Sequence, residues 1–207
     1  MDVLKLSQLL ISFILLIISI TLHEYGYALA ANQCGDPSPS KDGRLTVNPV
    51  NHIDLIGTII FPIICMLLGF SCLFGWGKPQ RLQPASYRYP RLLWIVLGGF
   101  IGNILLCLLG VLMLTFSINF TLIVYTLLQI NATLIVFNLL PLPGLDGFTL
   151  ISPCLPERVL RFIEQFGLWI LLIAINLPIV QRILSFGINC IIAGFIQLST
   201  ILYAILY

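Results

Sequence analysis

Six sustained apolar runs occupy most of this 207-residue chain: Leu9 to Ala31, Ile56 to Phe74, Leu92 to Phe116, Phe120 to Leu142, Phe166 to Val180 and Leu184 to Tyr207. Crossing about 30 Å of hydrocarbon takes about 20 apolar residues in a helix, so four runs span comfortably, while Ile56 to Phe74 and Phe166 to Val180 are marginal. With 59% hydrophobic and 9% charged residues and a mean hydropathy of +1.06, the chain cannot be an ordinary soluble domain. The expected fold class is an all-α polytopic membrane protein with five to six apolar helices, one of them re-entrant, and a short membrane-surface β-hairpin. All 207 residues form one integral-membrane domain, with the lipid bilayer as its first partner. A net charge of +2, with ten dispersed Lys and Arg, excludes a nucleic-acid partner.

The polar connections carry their own signals. Residues 32–55 hold Gly35-Asp36-Pro37, Gly43 and Asn48-Pro49 around the alternating Arg44-Leu45-Thr46-Val47, which predicts the hairpin. Gly75 to Arg91 is a basic irregular loop with Lys78, Arg81, Arg88 and Arg91. Ser152 to Gln165 reads as a mixed-charge connector leading into two C-terminal helices over 166–207. The six cysteines show no C-x-x-C spacing and read as small buried hydrophobes. An N-terminal signal peptide competes for the first run, but that run is long for such a segment and places His23 and Glu24 just before the supposed cut.

His23 and Glu24 are the chemical signal. An unpaired histidine or carboxylate in hydrocarbon costs about 2.5 to 3.5 kcal/mol by insertion scales, so adjacent ones mark a candidate site. His23-Glu24-Tyr25-Gly26-Tyr27 differs by one residue from H-E-x-x-H, in which two imidazoles one helical turn apart bind zinc and the glutamate deprotonates the metal-bound water. Tyr27 stands where the second histidine belongs, and its phenol must ionise, from an ordinary pKa near 10, to become a good ligand. His52, the other histidine, is the alternative donor. Asp146 is the best candidate for a further ligand, because Pro141 and Pro143 stop the fourth run and lead extended backbone into it.

The chain resembles the site-2 protease family of intramembrane zinc metalloproteases, in its short form without a PDZ or CBS domain. The likeness runs from about Leu22 to Gly147 and follows one order: His23-Glu24, Gly35-Asp36-Pro37, Gly43-Arg44-Leu45-Thr46-Val47-Asn48-Pro49, His52-Ile53-Asp54, Phe74-Gly75-Trp76-Gly77-Lys78-Pro79, and Leu145-Asp146-Gly147. Gly99 and Asn103 match the family's G-P-x-x-N helix, with Phe100 in place of the proline. The resemblance implies Zn2+ held by His23, a second histidine and Asp146, with Glu24 as general base, cutting transmembrane segments. It assigns Asn103 and Asn138 substrate or structural roles. It also implies a multi-pass protein of the plasma membrane whose site opens toward the cytosol.

His23 and Asp146 can meet only if their runs end on the same side of the membrane. Six full crossings would separate them, whereas a re-entrant Ile56 to Phe74, permitted by Gly57, Pro62 and Gly69, brings them together. That topology with an outside N-terminus puts eight of the ten Lys and Arg inside, against seven for six crossings with an inside N-terminus. Three functions compete: an intramembrane metalloprotease, impaired at Tyr27; an inactive relative that binds client helices as a scaffold or sequestering factor; and, ranked last, a proton-coupled transporter using His23, Glu24 and Asp146.

Overall fold

The computed structural model describes residues 3–67, 75–80, 89–116 and 121–207, apart from the side chains of residues 3–5 and Met66. Phe74, Arg81, Arg88, Phe120 and Cys72 lie outside the described residues; the described cysteines are all free.

Within the described residues the apolar runs fold as helices. They are α1 (Val3–Gln33), the single turn α2 (Ser38–Lys41), α3 (Phe61–Leu67) entered through a π-helical turn (Leu55–Ile60), α4 (Tyr89–Thr115), α5 (Thr121–Asn138), α6 (Asp146–Ile151), α7 (Glu157–Ile175) and α8 (Pro178–Leu206). Of these, α1, α4, α5 and α8 are long and apolar enough to cross a membrane, which makes the protein an all-α polytopic membrane fold. The described helical residues Leu55 to Leu67 extend about 20 Å at 1.5 Å per residue, and the rest of the predicted 56–74 run, residues 68–74, lies outside the described residues.

Small residues set the centre. Gly26 of α1 lies on the backbone of Gly98 in α4, Gly98 meets Ala30, and Gly102 meets the Leu22 carbonyl. The pairing runs in opposite senses along the two helices, so α1 and α4 are antiparallel. Glycine is required at Gly26 because a Cβ there would overlap the Gly98 carbonyl. Apolar side chains gain nothing by leaving lipid for protein, so this close approach is what holds the helices together. Gly110 of α4 packs on Val124 and Leu128 of α5, turning the chain back again and leaving α1 and α5 parallel. Leu16 and Ile20 of α1 pack with Ile130 and Leu134 of α5. α8 closes the bundle through Leu184 and Ile188, against Ala132 and Phe137.

Two consequences position the site. The Cys34 thiol reaches the Arg91 carbonyl at 3.8 Å, so the chain between them makes no net crossing. Parallel α1 and α5 therefore end on one side. α5 stops at Asn138 before Pro141 and Pro143, and Gly144 (φ 84°) turns the chain into α6. Gly147 then seats α6 directly on the Leu139 and Leu140 carbonyls, where a Cβ would not fit.

The hairpin predicted over 32–55 does not form. Residues 45 and 46 are bends, and extended pairing among the described residues is confined to one antiparallel bridge, Ile53 to Gly77. Side chains take the place of a partner strand: Asn51 Nδ2 donates to the Gly43 carbonyl at 2.7 Å, Arg44 turns inward to the Pro79 carbonyl at 3.3 Å, and His52 bonds the Thr46 carbonyl. The connector over 152–165 is also corrected, because Glu157 to Gln165 already belongs to α7. Its charges keep helical spacing, with Glu157 and Arg161 paired at 3.5 Å one turn apart on an exposed face.

Candidate active site

His23 sits in the middle of the α1–α4 contact, 4% exposed, because Gly99 leaves room for the imidazole that any side chain would fill. Phe100, which stands where the family pattern has proline, sets its ring edge-on to His23 at 5.7 Å between centroids. The two imidazole nitrogens have different neighbours. Nδ1 lies 2.7 Å from Asn103 Oδ1, and Nε2 lies 3.0 Å from Asp146 Oδ2. The 3.0 Å approach has ion-pair distance without hydrogen-bond alignment, for Asp146 Oδ2 is buried with no hydrogen-bond partner.

Glu24, half-buried, is held by a different segment. Gln80 Nε2 donates to the Glu24 backbone carbonyl at 2.8 Å and to its carboxylate at 3.0 Å, tying the 75–80 segment to α1. Gly77 packs on the Glu24 side chain so closely that a Cβ would collide with it. Residues α1 carries at 23 and 24 are thus joined to α4, α6 and the 75–80 segment.

Tyr27, one turn beyond His23, is 6% exposed and enclosed by Ala31, Ile95, Val96 and Phe100. His52 is fully buried in its loop, with Nε2 at 2.7 Å from the Thr46 carbonyl. That carbonyl can only accept, so Nε2 carries the proton, and burial holds His52 below the ordinary imidazole pKa. Nε2 is committed to pinning the loop, while Nδ1 is buried without a hydrogen-bond partner. Asn138 Nδ2 donates to the Leu134 carbonyl of its own helix at 3.0 Å, which serves the end of α5.

A zinc site can be tested against these residues. Two donors of a tetrahedral zinc, each about 2.0 Å from the metal, lie roughly 3.3 Å apart, close to the His23–Asp146 spacing of 3.0 Å. The set stops there. Among the described residues no group of three His, Cys, Asp or Glu is placed to hold a metal, and a catalytic zinc takes three protein ligands. The described residues, taken alone, do not complete a catalytic zinc site.

Two site residues escaped the sequence reading. Asn131 of α5, fully buried, accepts from Asn103 Nδ2 at 3.0 Å; a polar residue in the fourth apolar run was the available signal. Gln80 had no such signal, since it lies in a polar loop. Beside the site, Trp76, Pro79, Pro143, Gly144, Phe148 and Leu160 contribute to a mainly apolar cavity of about 640 Å³.

Comparison with known proteins gives two relatives. The chain is 31% identical over 188 residues to a candidate zinc metalloprotease, YwhC, of Bacillus subtilis (strain 168), a match covering 83% of this chain and 82% of that protein. It is 30% identical over 187 residues to a candidate zinc metalloprotease, Rip2, of Mycolicibacterium smegmatis, covering 80% of this chain and 66% of Rip2. No protein-family model matches the chain, and no solved structure matches it significantly.

Proposed function

The chain belongs to the site-2 protease family of intramembrane zinc metalloproteases, and from that premise we propose that it captures transmembrane segments of other membrane proteins at a site where peptide hydrolysis is disabled. One observation carries this reading: His23 and Asp146 stand 3.0 Å apart as two metal donors, while the third position is Tyr27, enclosed in an apolar cluster. The family's zinc would need a donor there that the described residues do not supply. The apolar cavity beside Asp146 supports the capture part, since about 640 Å³ is in the range of a binding pocket and is flanked by the Pro143–Gly144 turn. The client is a membrane-protein helix partly unwound at this cavity, and the site faces the cytosol of a cell-membrane protein.

A second reading, a working hydrolase, is favoured by the Glu24 carboxylate that Gln80 holds beside His23. Zinc content and cleavage of a model transmembrane substrate, measured on the wild type, Tyr27→His and Tyr27→His/Glu24→Gln, separate the two. The capture reading expects little zinc and no cleavage in the wild type. It expects near-stoichiometric zinc and cleavage in Tyr27→His, with cleavage lost when Glu24→Gln is added. Wild-type cleavage abolished by Glu24→Gln alone would establish the hydrolase. Wild-type protein that retains no model helix in co-purification from detergent would end the capture reading.

A further inference from the structure

The direction of every hydrogen bond leading to His23 is set by one backbone carbonyl. The Leu127 carbonyl can only accept, and it receives a hydrogen bond from Asn131 Nδ2 at 2.8 Å. The Asn131 oxygen therefore points the other way, where it accepts from Asn103 Nδ2 at 3.0 Å. Asn103 Oδ1 is then left to face His23, and at 2.7 Å it accepts from Nδ1. Asn103 and Asn131 are fully buried, so water does not compete. Turning either amide over would set acceptor against acceptor, or donor against donor, at about 1–3 kcal/mol for each buried group left unpaired.

We infer that Asn131 is a positioning residue which, through Asn103, holds the His23 ring with a proton on Nδ1 and turns Nε2 toward Asp146. Asn131 touches neither Glu24 nor Asp146 by any hydrogen bond in the structure; it acts through the chain from the Leu127 carbonyl to Asn103 to His23. In the neutral ring, Nε2 then presents its lone pair to the Asp146 carboxylate at 3.0 Å, and Asp146 Oδ2 has no hydrogen-bond partner. Two electron-rich atoms at that distance favour positive charge between them. The polar chain thus preserves the orientation of a two-donor site although the described residues add no third donor. This refines the site proposed above, yet its readout depends on neither capture nor cleavage.

The chain has two histidines, so ¹⁵N-histidine labelling yields two side chains, which a His23→Gln variant assigns. Spectra of the neutral rings at alkaline pH, in bilayers, should show His23 protonated on Nδ1. They should show His52 as the opposite tautomer, protonated on Nε2, because it donates to the Thr46 carbonyl. In Asn131→Leu, His23 should lose its Nδ1 preference and populate both tautomers, while an unchanged His52 signal reports that the fold is intact. Wild-type His23 protonated on Nε2 would overturn the inference without any variant. An unchanged Nδ1 preference in Asn131→Leu with the His52 signal intact would overturn it as well.

Discussion

The α1–α4–α5 centre and the α8 rim are built from similarly apolar sequence, yet they are held in different ways. In the most apolar stretch of α5, 61% of residues are buried; in that of α8, 11% are. The centre uses glycines at backbone contact and a buried chain of asparagines. The rim presents Phe186 and Ile205, each more than 70% exposed, to its surroundings. The difference follows from the solvent. Lipid tails solvate apolar side chains as well as a protein interior does, so an apolar surface alone does not bring helices together; close backbone packing and interhelical hydrogen bonds do. The candidate site lies where those two devices coincide, because the glycines that let α4 approach α1 also clear the space for His23.

The same substitution in the two regions should separate them most strongly. Gly26→Ala puts a methyl against the Gly98 carbonyl, a backbone group that cannot step aside without moving α4. We expect a loss of more than about 3 kcal/mol, seen as loss of monodisperse protein or a large fall in resistance to denaturation in detergent. A Gly26→Ala protein as stable as wild type would mean that α1 and α4 do not meet through these glycines.

Next in size is the polar chain. Asn103→Ala leaves His23 Nδ1 and the Asn131 oxygen without their partner in an interior closed to water. The expected loss is about 1–3 kcal/mol in the same assay. At the outer contact, Ser199 of α8 bonds the Ile196 carbonyl of its own helix at 2.7 Å through its hydroxyl. Ser199→Ala should therefore cost no more than about 0.6 kcal/mol, the average for hydrogen bonds that cross between membrane helices. Equal losses at Asn103 and Ser199 would erase the distinction between centre and rim.

How much of this was legible in the sequence depends on how local the signal is. The apolar runs are local, and they give the helical membrane fold. Pro141 and Pro143 are local, and α5 stops before them. The meeting of His23 with Asp146 required only a count of crossings. The hairpin failed because alternation along residues 44–47 does not reveal that Arg44 turns inward to Pro79, a partner 35 residues away. The start of α7 failed because a charged first turn resembles a connector when the apolar face opposite it is not yet placed. Asn131 was visible as a polar residue in hydrocarbon, but its partner lies on another helix. Tyr27 was conspicuous as a substitution; that it joins the Ile95, Val96 and Phe100 cluster is a property of how α4 packs.

The smallest effect is expected at Gly194, on the open side of α8, where a Cβ meets nothing within 4 Å. Alanine there adds no collision and removes backbone freedom, so Gly194→Ala should be neutral or stabilise by up to about 1 kcal/mol. Its value as a test lies in the contrast with Gly26, since the two substitutions add the same methyl to a spanning helix. If Gly194→Ala leaves stability unchanged in detergent but weakens retention of a model helix, the open face of α8 takes part in capture alongside the cavity at α6 and α7. If it changes neither, the proposed capture surface stays on the side of the bundle where Asp146 and Trp76 stand, and α8 serves the fold through its packing on α4 and α5. A loss of stability as large as that of Gly26→Ala would show instead that the rim is covered, and the contrast between the two regions would fail at the point where it is sharpest.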